Sequence, residues 1–189
     1  MQFSDGSVMR LYKQTVQDFG LYSGLELTDE EYAQLQAAAQ KMSAKMRAIR
    51  IVSASSVSKK DLEHRLIQKG EDVDCAKQAV AWMEDLSLID DRKTAEQIVS
   101  RCISKGYGLS RAKQALYEKR IPKEYWDEVL AEYPDQIDAI RAYIEGHLSK
   151  EPDQKELKKV IDALLRKGYS YSAIRKALDC VDLLEDSYG

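Results

Sequence analysis

The residues best suited to acid–base or nucleophilic chemistry are few and scattered. His64 and His147 are the only histidines and stand apart, each beside charged residues on what reads as a helical face. A surface histidine is the better reading for both, and no Cys-His or Ser-His-Asp order is evident. Cys75, Cys102 and Cys180 fit neither a zinc spacing nor a disulfide framework, so packed, reduced thiols are expected. Asp90-Asp91 could pair on a metal, but two acids just ahead of an apolar-periodic run read better as a helix cap. Gly106-Tyr107-Gly108 superficially resembles a phosphate loop, yet it follows a helix and lacks a third glycine. No catalytic residue, metal or cofactor is therefore expected, and the chain is read as a non-enzyme.

Cations are more informative. Between Gln97 and Lys123 the chain carries Arg101, Lys105, Arg111, Lys113, Lys119, Arg120 and Lys123 against a single acid, Glu118. A second cluster holds Lys155, Lys158, Lys159, Arg166, Lys167, Arg175 and Lys176 against Glu156 and Asp162. Tyr107, Tyr117, Tyr169 and Tyr171 are interleaved with them. Such surfaces can meet phosphates, stacked bases or an acidic protein. For either cluster alone a solvated helix face is the better reading. Their equivalent placement in a repeat favours function without separating DNA from an acidic protein groove. The net charge of −3 over 189 residues argues against a protein that simply coats DNA.

The elements that position these residues read as helices almost throughout. Hydrophobic residues make up 44% and charged residues 32%, with only 3 prolines, a composition that supports packed helices. Residues 1–27 are the exception. Met9 and Leu11 alternate with polar neighbours, Gln14-Thr15-Val16-Gln17 follows, and two short strands are expected there. Thr28 and Glu31 form a capping box, opening a helix to about Ser53 with a break expected near Ser43. Ser58 with Asp61 opens the next, which stops at Gly70. A further helix carries Ala76, Ala79, Val80 and Met83. After Asp90-Asp91, Ala95, Ile98, Val99, Cys102 and Ile103 make a full amphipathic stripe. Ser110 is read as opening a helix to Arg120, and Pro122 as starting one through Trp126. Pro134-Asp135 breaks that helix. Ile137 to Leu148 and Leu157 to Leu165 give two more stripes, Tyr171-Ser172 starts the last clear helix, and an acidic tail runs from Asp179 as a frayed or short helix. Trp82 and Trp126 read as core. Neither a secretory leader nor a membrane-spanning run is expected, and a cytoplasmic location is expected.

Lys105-Gly106-Tyr107 recurs as Lys167-Gly168-Tyr169, and at the same offset Ser110, Lys113, Ala115 and Leu116 match Ser172, Arg175, Ala177 and Leu178. A weaker copy places Leu62, Leu66 and Lys69 over Ala112, Leu116 and Lys119. The expected fold is all-α: an elongated tandem array of three-helix repeats over residues 44–89, 90–134 and 135–189, preceded by a small extension over 1–43.

The string Leu88-Ile89-Asp90-Asp91, then Ala95, Arg101, Lys105-Gly106-Tyr107-Gly108, Arg111 and Leu116-Tyr117-Glu118-Lys119-Arg120-Ile121 resembles the central signature of the RecX regulatory proteins. The run from Leu164 to Arg175 is similar to that family's closing signature, and residues 58–70 match its first repeat. The family usually has an aromatic residue at Thr94 and glycine at Arg120. The resemblance implies a cytoplasmic monomer that binds the RecA recombinase, preferentially as a filament on single-stranded DNA, with at most weak DNA binding of its own. Lying in the filament groove, it would restrain ATP hydrolysis, strand exchange and co-protease activity, and so regulate DNA repair, recombination and the SOS response. Charge and repeat position nominate Lys105, Tyr107, Arg111, Lys113, Lys119 and Arg120 for that contact, with Arg166, Lys167, Tyr169 and Arg175 as their counterparts. Two rival readings are a direct single-stranded-DNA-binding protein and a helical scaffold or adaptor without a nucleic-acid role. An unrecognised enzyme is a distant third.

Overall fold

The computed structural model describes residues 1–4, 6–149 and 152–180; the acidic tail lies outside them from residue 181 onward. Helices dominate, and the chain divides into two compact units, Met1–Asp90 and Asp91–Gly189.

In the first unit α1 (Lys13–Asp18) and α2 (Asp29–Ala54) are followed by α3 (Lys59–Gln68) and α4 (Val73–Asp85). Thr28 caps α2 as its composition predicts: its hydroxyl accepts from the Glu31 amide, and the Glu31 carboxylate accepts from the Thr28 amide. The Thr28 amide and hydroxyl both donate to the Glu31 carboxylate and hold it below its usual range. Ala44, Ala48 and Ile51 on α2 close over Leu62, Leu66, Ala76, Ala79 and Met83 of the two shorter helices, and Trp82 packs at the edge of that core. Helix α2 does not break at Ser43. The Ser43 hydroxyl donates 2.9 Å to Glu71 in the α3–α4 turn instead of competing for its own backbone.

The expected strands are absent from the described residues. Gln2 and Val8 form a lone antiparallel bridge, too little pairing to propagate a sheet. Gln14 to Gln17, read as a strand, lie in α1, where Thr15 is buried and Gln14 donates to Asp18 one turn on.

The second unit holds α5 (Asp91–Ser104), α6 (Leu109–Glu118), a 3₁₀ turn (Lys123–Tyr125) leading into α7 (Trp126–Leu130), then α8 (Gln136–His147), α9 (Gln154–Arg166) and α10 (Tyr171–Asp179). Ala95, Val99, Leu116 and Ile121 form one core, against which Trp126 packs while its indole donates to the Ile121 carbonyl. Ile140, Ile144, Val160, Leu164, Ile174 and Leu178 form another. Asp135, Asp153 and Ser170 cap α8, α9 and α10 through their side chains. Helix α6 departs from the sequence reading: its cap is Gly108, not Ser110, and Gly108 has no side chain to offer. Cys75 and Cys102 are buried as expected. Cys180 is exposed, because it follows the last apolar turn of α10.

No helix among the described residues is long and apolar enough to cross a membrane.

Candidate functional site

The two Lys-Gly-Tyr strings end α5 and α9 in the same way. The Gly106 and Tyr107 amides reach back to the carbonyls of Ile103 and Cys102 at 2.9 and 3.0 Å. Those of Gly168 and Tyr169 reach Leu165 and Leu164 at 2.9 and 3.2 Å. This Schellman closure needs a left-handed residue, and the two glycines supply it at φ +62° and +90°. Lys105 and Lys167 sit just ahead of them, each a cation at the negative end of its helix.

The two turns then lock onto each other. The Gly108 amide donates to the Lys167 carbonyl at 2.9 Å, and the Ser110 amide to the Gly168 carbonyl at 3.3 Å. The Tyr169 hydroxyl donates to the Gly106 carbonyl at 3.1 Å, and the Tyr133 hydroxyl to the Tyr107 carbonyl at 2.6 Å. A methyl group on Gly108 would lie 2.3 Å from the Gly168 oxygen, which is why a side-chain cap cannot stand there. Burial, reinforced by the Cys102 thiol and the Tyr169 phenol, pushes Tyr133 up to about 12; burial also raises Tyr169. Both phenols stay protonated and donate across the neutral range. Burial raises the Cys102 thiol too, with Arg111 and Lys105 opposing the rise, so it stays a protonated, inert thiol near neutral pH.

The repeated motif is therefore first a structural joint. Tyr169, nominated from sequence for partner contact, is only 6% exposed and belongs to the core. Its ring is buried in the core with Ile140, Ile144 and Leu164, and its hydroxyl is spent on Gly106. Tyr107 is half-buried, with the Arg111 guanidinium 5.9 Å over its ring. Arg111 also donates to Gln114 and presses its Cβ toward Gly168, so it straddles the joint and the surface. Lys119 and Lys167 hold the C-terminal cap positions of α6 and α9, and Lys105 directly follows α5; Lys167 also lies 5.2 Å over the Tyr143 ring.

Two of the remaining nominated cations, Lys113 and Arg175, face outward. Ala112 and Leu116 turn α6 inward, leaving Lys113 and Tyr117 outward one turn apart; Tyr117 is 72% exposed. On α10, Ile174 and Leu178 face the core while Tyr171, 61% exposed, and Arg175 point out one turn apart. Each helix thus presents a tyrosine–cation pair. Arg166 is exposed at the end of α9, and Arg120 stands beyond α6 at φ +53°. His147 stacks on Tyr143 at 3.9 Å between ring centres. Among the described residues no three His, Cys, Asp or Glu side chains gather as a metal site.

Two family models match this unit: the second three-helix domain of RecX over residues 90–130, and the third over residues 145–178. The regulatory protein RecX of Vibrio campbellii is 31% identical over 154 residues, covering 80% of this chain and 98% of that protein. The chain belongs to the RecX family. A second RecX, from Clostridioides difficile, is 25% identical and spans 93% of this chain and 85% of its own. The crystal structure of a regulatory protein RecX shares the fold with a TM-score of 0.67 at 21% identity, covering 89% of this chain and 86% of that one.

Sequence reasoning nominated no residue before Lys105 in this RecX family member, yet a plain signal was present. From Tyr32 to Lys60 there is no acid, while Lys41, Lys45, Arg47, Arg50, Lys59 and Lys60 are all basic. The fold turns part of that run into a groove between α2 and α3.

Proposed function

We propose that this RecX family member is a non-enzymatic regulator of recombination and DNA repair that binds RecA filaments on single-stranded DNA and restrains their ATPase, strand exchange and co-protease activities. The observation that carries the reading is the pair of outward rows, Lys113 with Tyr117 and Tyr171 with Arg175, on helices that follow equivalent Lys-Gly-Tyr turns. An exposed tyrosine beside a cation suits a nucleoprotein surface, where phosphates and planar bases lie close together. Arg120 and Arg166 extend these rows. Lys105, Arg111, Lys119 and Lys167 add charge beside the joint that orders them, and Tyr107 supports Arg111. In this reading the chain acts as a cytoplasmic monomer built of three-helix groups over 44–89, 90–134 and 135–189.

The test is the RecA ATPase on single-stranded DNA with the protein added below stoichiometry. Potent inhibition, together with weak binding to bare DNA in a parallel titration, is expected. No change in ATPase and no association with filaments would reject the reading and leave a helical scaffold. A tight, salt-sensitive grip on bare strands that accounts for all of the inhibition would favour direct competition for DNA.

A further inference from the structure

The first unit carries a groove of about 440 Å³ between the end of α2 and α3. Arg47, Arg50, Arg65 and Lys69 line it, with Ile51 and Ala54 among them supplying apolar surface. Four cations around one groove need a reason. Two have one within the fold. Arg47 is locked by Glu71 at 2.7 Å and donates to the Lys69 carbonyl at 2.9 Å, which ties α2 to the end of α3. Arg65 is held by the buried Asp61 at 2.9 Å and reaches Ser55 at 3.5 Å. The other two are not neutralised: among the described residues Arg50 meets only the Tyr12 hydroxyl, at 3.3 Å, and the Lys69 ammonium meets no carboxylate. The groove therefore keeps two positive charges in excess, one from each helix, over a floor that is partly apolar.

We infer that this groove is an anion subsite for the sugar–phosphate backbone of single-stranded nucleic acid, with Arg50 and Lys69 making the phosphate contacts. Arg47 and Arg65 are positioning residues, held rigid by Glu71 and Asp61 so that they shape the walls of the groove without closing it. The size favours a nucleotide over a lone carboxylate: the volume falls in the ~300–1,000 Å³ range of small-ligand clefts, and the Ile51 and Ala54 surface suits a sugar or base beside the phosphate. The inference rests on the proposed nucleoprotein partner only for the class of anion. It places a contact far in sequence from the rows on α6 and α10.

The experiment is fluorescence anisotropy of a labelled oligothymidylate against the full chain and the R50A/K69A variant, across a range of salt. Both side chains are exposed, so unchanged helical circular dichroism is expected. The variant should bind at least tenfold more weakly. Its plot of log affinity against log salt should flatten by about 0.7 for each phosphate that is no longer neutralised. R50K/K69R, which keeps both charges, should retain most of the binding. Wild-type affinity and slope in R50A/K69A would overturn the groove, while leaving filament inhibition through α6 and α10 standing. Competition by polyglutamate as effective as unlabelled oligothymidylate at equal charge would overturn the nucleic-acid assignment in favour of an acidic polypeptide. Oligothymidylate binding that depends on Arg50 and Lys69, in a protein that leaves RecA filaments untouched, would support the groove and reject the filament reading.

Discussion

At Arg120 a cost in stability and a gain in charge meet in one residue. Its amide and that of Ile121 close α6 onto Tyr117 and Leu116 just as Gly106 and Gly168 close their helices, yet Arg120 does so at φ +53° with a full side chain. A non-glycine residue in the left-handed region gives up about 1 kcal/mol. Arg120→Gly should therefore raise stability by about that amount in chemical denaturation. The same variant should lose filament affinity if the guanidinium is what the strain is kept for. A variant both more stable and equally active would remove Arg120 from the surface. Tyr133 makes a separate statement about pH. Its folded-state pKa is about 12 against 10 for an unhindered phenol, so the unfolded chain releases this proton first. The stability it contributes is complete below pH 10 and is lost as pH rises from 10 toward 12. Tyr133→Phe should flatten that alkaline decline. It should also cost about 1 kcal/mol at neutral pH, because the Tyr107 carbonyl loses its 2.6 Å donor.

At the scale of helices, inward and outward residues on α6 should separate cleanly. Leu116 is fully buried, so Leu116→Ala should cost about 2–5 kcal/mol and lower activity only through folding. Lys113→Ala with Tyr117→Ala touches no core, should change stability by about 0.5 kcal/mol or less, and should still weaken inhibition of the RecA ATPase. Equal loss of fold and function in both variants would sink the assignment of this row. Much of the helical order was legible in residue spacing: the stripes of α5 and α9, the Thr28 capping box and the glycine stops follow from local chemistry that the fold leaves intact. What spacing hid was tertiary. Ser110 looked like the cap of α6 because the local sequence offers a hydroxyl there, and only the close approach of Gly168 explains why Gly108 takes its place. Tyr169 looked like a partner contact for the same reason: in sequence it stands beside cations, and in the fold its ring is buried in the core of α8, α9 and α10. The Gln14–Gln17 segment lacked a strand partner, which no local pattern could show.

Over the whole molecule, charge decides how the protein should meet DNA. The chain is net negative at −3, while its positive charge is concentrated on a few faces. Long-range attraction to a bare phosphate backbone is therefore weak, and binding must come from close contacts. A protein of this kind should hold bare single strands loosely and release them quickly as salt rises. The two phosphate contacts assigned to Arg50 and Lys69 should alone cost about sevenfold in affinity as salt rises from about 50 to about 200 mM, and each further contact from α6 or α10 should add to that loss. Filament binding should be less sensitive, because contacts with recombinase subunits release few counterions. The measurement is a paired titration, anisotropy on oligothymidylate and ATPase inhibition on RecA filaments, at both salt concentrations. Inhibition that survives the salt while bare-strand binding falls would place the main grip on the protein part of the filament. Parallel loss of both would mean that the single strand carries the affinity, and that the cations of α6, α10 and the α2–α3 groove act chiefly on phosphate.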